Sequence, residues 1–186
     1  MSKTTADVLV VGGGPAGMMA GLLLARAGVD VLALDDDVAM PGGLMISPAI
    51  WRTFFKARMA EIIQAALKIN PELHVLYHSD GDFSAILDDL IEIGVRAINP
   101  VQPDHMDAAA IRSRYGPRLV LWGTVGAQTT FSFASETEIR REVRERMQTL
   151  GPRGLVISPA YDIDEPDIAW GKVQAFLEAG REYGRS

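Results

Sequence analysis

The chain has no cysteine among its 186 residues. That excludes a disulfide, a thiolate metal centre and a cysteine nucleophile. It also lacks a long apolar run: the stretch from Met18 to Ala25 is too short to span a bilayer and follows a glycine loop rather than a basic leader. Positive charge is in deficit, with 18 Lys and Arg against 24 Asp and Glu and a formal charge of −6. A nucleic-acid or anionic-membrane surface is therefore not expected. Histidine is scarce, and His74 and His105 read as ordinary loop or strand-edge residues, which leaves His78. With 48% hydrophobic and 23% charged residues, the chain reads as a folded globular protein, for which the cytoplasm is the expected location.

What is present is a regular alternation. Apolar runs at Asp7–Val11, Asp30–Leu34, His74–His78, Ala97–Val101, Leu119–Val125 and Leu155–Ser158 read as strands. Helices are expected at Met18–Ala27, Pro48–Lys68, Phe83–Ile93, Asp107–Tyr115, Ser135–Leu150 and Ile168–Tyr183. Their ends carry the expected signals: Ser47-Pro48 and Ser135-Glu136-Thr137-Glu138 at starts, Gly28, Gly94 and Gly116 at stops. Strand-helix alternation is the α/β pattern of a parallel sheet, here of about six strands. An eight-stranded (βα)8 barrel usually takes about 250 residues. An incomplete TIM-barrel-like sheet, an open doubly wound sheet and a homodimer that completes the barrel all remain open.

The first strand runs straight into Gly12-Gly13-Gly14-Pro15-Ala16-Gly17. Gly12, Gly14 and Gly17 have the G-x-G-x-x-G spacing at a helix start, where backbone amides face a pyrophosphate. Asp35 ends the next strand, near the offset of a ribose-binding acid. The run Ala6–Leu34 resembles the fingerprint of FAD-dependent monooxygenases of the aromatic-hydroxylase type. The resemblance implies FAD as cofactor, held by Gly12, Gly14, Gly17 and Asp35, with residues 1–34 as a Rossmann-like βαβ segment. That family usually has glutamate where Asp35 stands.

From Val29 onward other motifs appear: Gly43-Leu44-Met45-Ile46-Ser47-Pro48 with Trp51-Arg52, Tyr77-His78-Ser79-Asp80-Gly81, and Ile93-Gly94-Val95 with Asn99-Pro100-Val101-Gln102. Leu121-Trp122-Gly123 and Ser158-Pro159-Ala160 follow. In this order they resemble the C-terminal half of the uroporphyrinogen decarboxylase family barrel, over residues 29–186, forming one continuous domain with 1–34. The resemblance implies a lyase acting on a porphyrinogen-like small molecule with no required cofactor, or corrinoid-type methyl transfer. The methyltransferase branch carries His-x-Cys zinc ligands where His78-x-Asp80 stands, so that zinc site is absent and no metal is expected, with a His/Asp site for a harder ion as the alternative. The decarboxylases carry histidine where Tyr161 stands.

Working residues in parallel α/β folds lie at the carboxyl ends of strands. That rule, with the resemblance, nominates Asp36, Asp37, His78, Asp80 and Tyr161 as catalytic, with Asn99, Gln102, Thr124 and Asp162 at other strand ends. Three adjacent aspartates repel, and a sheltered one would hold its proton more tightly. Arg52 and Arg58 read as solvated or salt-bridged. Trp51, Phe54, Phe55 and Met59 read as core at helical spacing. The charges from Arg140 to Arg146 read as a solvated helix face. Two further readings are an FAD-binding module and a catalytically inactive chimeric α/β scaffold.

Overall fold

The computed structural model describes residues 8–12, 29–163 and 168–184. The expected helix Met18–Ala27, with Gly14 and Gly17, lies outside them. The chain forms two compact units, Met1–Ile98 and Asn99–Ser186.

In the first unit, β1 (Val8–Gly12) and β2 (Val31–Asp35) pair in parallel, and β2 pairs in parallel with β5 (His74–His78). Leu32, Ala33 and Leu34 of β2 and Val75, Leu76 and Tyr77 of β5 are all buried. Such unbroken apolar runs are what a parallel strand covered on both faces requires. The register sets Gly12 beside Asp35, and Asp35 beside His78.

The stretch after β2 is not a plain loop. It folds into a small antiparallel hairpin, β3 (Ala39–Met40) and β4 (Gly43–Leu44), turned by Pro41-Gly42. Ser47 then caps α1 (Pro48–Trp51), its hydroxyl accepting from the Ile50 N–H at 3.2 Å. The helix continues through one π-helical segment, Arg52–Lys56, into α2 (Ala57–Ile69).

That segment corrects one expectation. Trp51 and Met59 are buried, but Phe54 is 56% and Phe55 38% exposed. A π turn adds a residue to the helical repeat, so the apolar stripe slips in phase and the two phenylalanines leave the core face. The same segment presents Arg52 and Lys56 to Asp89, on α3 (Leu87–Ile93). The Arg52 Nε donates to both Asp89 carboxylate oxygens, at 3.1 and 2.9 Å, and the Lys56 Nζ to one at 2.9 Å. A 3₁₀ turn, Ser84–Ile86, precedes α3, and Gly94 at φ 117° ends it.

β6 (Ala97–Val101) spans the boundary between the units. The second unit continues with α4 (Ala108–Tyr115), β7 (Val120–Val125) and a π turn (Ala127–Phe131). It ends with α5 (Glu136–Leu150), β8 (Leu155–Pro159) and α6 (Trp170–Tyr183). β7 and β8 pair in parallel, with Thr124 beside Ser158. The Ser135–Glu138 capping box read from the sequence starts α5.

The core of this unit joins Val125, Phe131, Ile139, Val143, Phe176 and Ala179. Each large apolar side chain buried there stabilises the fold by roughly 1.5–3 kcal/mol. The α5 charges do more than face solvent, since the Arg140 guanidinium reaches Glu178 and Glu182 on α6 at 2.8 Å each. Arg112 donates to the backbone carbonyls of Gly116, Leu119 and Gly154. Among the described residues no helix is long and apolar enough to cross a membrane.

Candidate functional site

The carboxyl ends of β2 and β5 bring five of the nominated residues together. The Asp36 N–H donates to the His78 carbonyl at 3.2 Å, extending the strand pairing by one residue. The Asp80 N–H donates to Asp37 Oδ1 at 2.8 Å, and His78 Nε2 lies 4.0 Å from that same oxygen. Asp35, Asp37 and His78 each offer a ligand atom, all within 4.8 Å of one another. Asp35 and Asp37 are exposed, while Asp36, His78 and Asp80 are partly buried.

The electrostatics follow from that placement. Burial, then the adjacent Asp35 and Asp37 charges, hold the Asp36 carboxyl above its ordinary value of 3.8. Each effect disfavours the anion, so Asp36 keeps its proton to a higher pH than a free aspartate. Beneath it, Tyr77 is fully buried and its hydroxyl donates to the Asp36 carbonyl at 3.1 Å. Burial first, then the carboxylates of Asp36, Asp37 and Asp35, keep that phenol un-ionised.

Sequence reasoning missed the groups that hold these side chains in place. Ser79 is fully buried, accepts from the Val38 N–H at 3.1 Å and donates to the Asp80 carbonyl at 2.9 Å. The hairpin is pinned by the Asp82 N–H, which donates to the Met40 carbonyl at 2.9 Å. Gly81 lies under that contact at φ 79°, where a Cβ would sit 2.6 Å from Met40 backbone atoms. Tyr77, Ser79 and Gly81 stand in the sequence only as members of the Tyr77-His78-Ser79-Asp80-Gly81 motif, with nothing to mark their contacts with Asp36, Val38 and Met40.

The other nominated residues are placed as follows. Gly12 ends β1 beside Asp35, and Gly14 and Gly17 lie outside the described residues. Tyr161 and Asp162 follow β8 in the second unit and are exposed, Tyr161 by 42%. Arg52 is committed to Asp89, and the Arg58 guanidinium to the Phe54 carbonyl.

A thiolate zinc centre does not fit this site, because the chain has no cysteine and Asp80 follows His78 by two. Two carboxylates and one imidazole form an oxygen-rich donor set, suited to a harder ion.

No curated protein matches the chain. Among solved structures, a methyltransferase from Methanosarcina mazei superposes with a TM-score of 0.68 at 25% identity, over 90% of this chain and 47% of that one. The chain thus spans about half the length of that protein. The 7,8-dihydropteroate synthase from Vibrio fischeri ES114 superposes with a TM-score of 0.62 at 17% identity, over 97% of this chain and 71% of that one. A dihydropteroate synthase from Anaplasma phagocytophilum gives 0.54 at 17%, over 98% and 74%. These likenesses fit the α/β, partial TIM-barrel-like architecture. The family model for uroporphyrinogen decarboxylase (URO-D) matches residues 19–183, starting before Val29 and inside the flavoprotein-like stretch. The chain belongs to the uroporphyrinogen decarboxylase (URO-D) family.

Proposed function

We propose that the β2–β5 site handles a proton on a pyrrolic substrate, as in decarboxylation of a porphyrinogen. Each such turnover exchanges a C–CO₂⁻ bond for a C–H bond, so one proton must be delivered as CO₂ leaves. In this reading Asp36 holds the proton, Asp35 and Asp37 accept pyrrole N–H groups, and His78 with Asp80 completes the polar wall. The observation that carries the reading is the convergence of Asp35, Asp37 and His78 within 4.8 Å at two paired strand ends, with the adjacent Asp36 carboxyl raised above its ordinary value. Carboxyl groups with separated proton affinities are how one site combines acid and anion roles.

The test is turnover of uroporphyrinogen under reducing conditions, with products counted by their remaining carboxyl groups. Wild-type protein is expected to shed carboxyl groups, and Asp36→Asn to slow this by about 100-fold or more, in the range expected for losing a general acid. Absence of turnover, or turnover indifferent to both Asp36→Asn and His78→Ala, sinks the reading.

Methyl transfer is the second reading, favoured by the likeness to the Methanosarcina mazei methyltransferase at 25% identity. It would have to proceed without a cysteine-bound zinc, and methyl loss from methylcobalamin to a thiol would identify it. A flavin reading rests on the sequence spacing of Gly12, Gly14, Gly17 and Asp35 alone. Purified protein that releases flavin on denaturation would establish it, and colourless protein with no dinucleotide affinity would remove it.

A further inference from the structure

Among the described residues, Thr124 is the one non-glycine with a positive φ, at 78°. A β-branched side chain rarely tolerates that conformation. Thr124 is also fully buried, and its hydroxyl has no hydrogen-bond partner. Neither cost is needed for the fold: glycine takes a positive φ freely, and valine fills the same volume without a polar atom. Both fall on one residue near the C-terminal end of a parallel strand, where such folds bind ligands and where strain collects at working sites.

The surroundings define the chemistry. Thr124 stands beside Ser158 in register. Gly123 precedes it at φ 113°, and a Cβ there would come within 3.1 Å of the Val101 N, so the end of β6 lies against it. Gln102, next in the chain, is buried. These groups are hydroxyls and an amide. The carboxylate reaching the loop after β7, Glu142, already accepts from the Gly126 N–H, the Thr130 hydroxyl and Arg146.

We propose that Thr124 is a ligand-contacting residue of the second unit, its hydroxyl bonding a neutral polar group (an amide, a lactam or a ring N–H) at the carboxyl ends of β7 and β8. An anion would meet no free cation among these groups. Because the hydroxyl is covered, a ligand reaches it by local opening, so small probes bind weakly. The assignment does not depend on the function proposed for the first unit.

The experiment uses the full chain labelled with ¹³C at threonine methyls and titrated with 2-pyrrolidone, hydantoin and uracil, with acetate as the anionic control. The Thr124 signal, identified by its loss in Thr124→Val, is expected to shift with a neutral probe and not with acetate. Followed at the Thr129 and Thr130 methyls, Thr124→Val should bind the probe about tenfold more weakly. Thr124→Ser should bind like the wild type, and Thr124→Gly should melt higher. Any of four binding results overturns the proposal: no shift at Thr124 with any neutral probe, a shift with acetate, Thr124→Val binding undiminished, or Thr124→Ser binding as weakly as Thr124→Val. A Thr124→Val protein that fails to fold also overturns it, since the hydroxyl would then be structural.

Discussion

Asp37 and Asp80 lie 43 positions apart in the chain, yet the N–H of one donates to the carboxylate of the other at 2.8 Å. The bond ties the segment after β2 to the segment after β5 and fixes the separation of the two halves of the carboxylate site. Asp37→Ala leaves that N–H without its acceptor and should cost about 0.5–1.5 kcal/mol. Asp37→Asn keeps an acceptor oxygen and should melt close to wild type. Thermal melts of the two variants distinguish them, and equal losses would mean that charge rather than the hydrogen bond matters.

Asp36 should be a position where activity and stability oppose each other. Its folded pKa lies above the ordinary 3.8, so just above that value the folded chain binds more protons than the unfolded one. Stability attributable to Asp36 therefore falls as pH rises through that window. Asp36→Asn removes the penalty and should stabilise the protein at pH 7, by less than about 1 kcal/mol because solvent screens the partly exposed group. Melting temperature would rise by about 1–3 °C at pH 7 and not at all near pH 3. An equal gain at both pH values would refute a charge origin.

Gly81→Ala should be among the more damaging small substitutions. The new Cβ would meet Met40 backbone at 2.6 Å, from a φ of 79° that alanine disfavours. Left-handed strain and backbone displacement together should cost about 2–4 kcal/mol. Urea melts measure the loss. Hydrogen exchange at Asp82, whose N–H bonds to Met40, should quicken more than exchange in α5.

Asp89 contributes stability in the opposite pH direction. The Arg52 hydrogen bond, followed by Lys56, holds its carboxyl below 3.8 despite opposing burial. That contribution is complete above pH 3.8 and is lost as pH falls through the lower folded value. Asp89→Ala should cost about 1 kcal/mol at pH 7, below the usual range for a charged hydrogen bond, because the Arg52 side chain is half exposed. The difference from wild type should vanish in strong acid, as followed by acid-unfolding curves.

Most of the fold could be read in the sequence because its signals are local. His74–His78 and Ala97–Val101 are strands over the ranges that their apolar runs mark, and Ser135 with Glu138 starts a helix as their spacing dictates. The hairpin at Ala39–Leu44 escaped because its strands are two residues each, too short for any period. Phe54 and Phe55 were misplaced because a π turn leaves no mark in a helical-wheel pattern. Asp35, Asp36, Asp37, His78 and Asp80 were legible as residues at strand ends. What held them could not be read: Tyr77, Ser79 and Gly81 act through contacts between segments distant in the chain.

Arg112 gathers carbonyls just before β7 and just before β8, at the opposite ends of those strands from Thr124 and Ser158. It works as an index pin: two parallel rods seated at a common height at one end must present matching rungs at the other. A side chain outside the nominated site residues thereby braces the alignment that makes those hydroxyls neighbours several residues away. Its replacement offers a way to shift that alignment without altering the residues aligned.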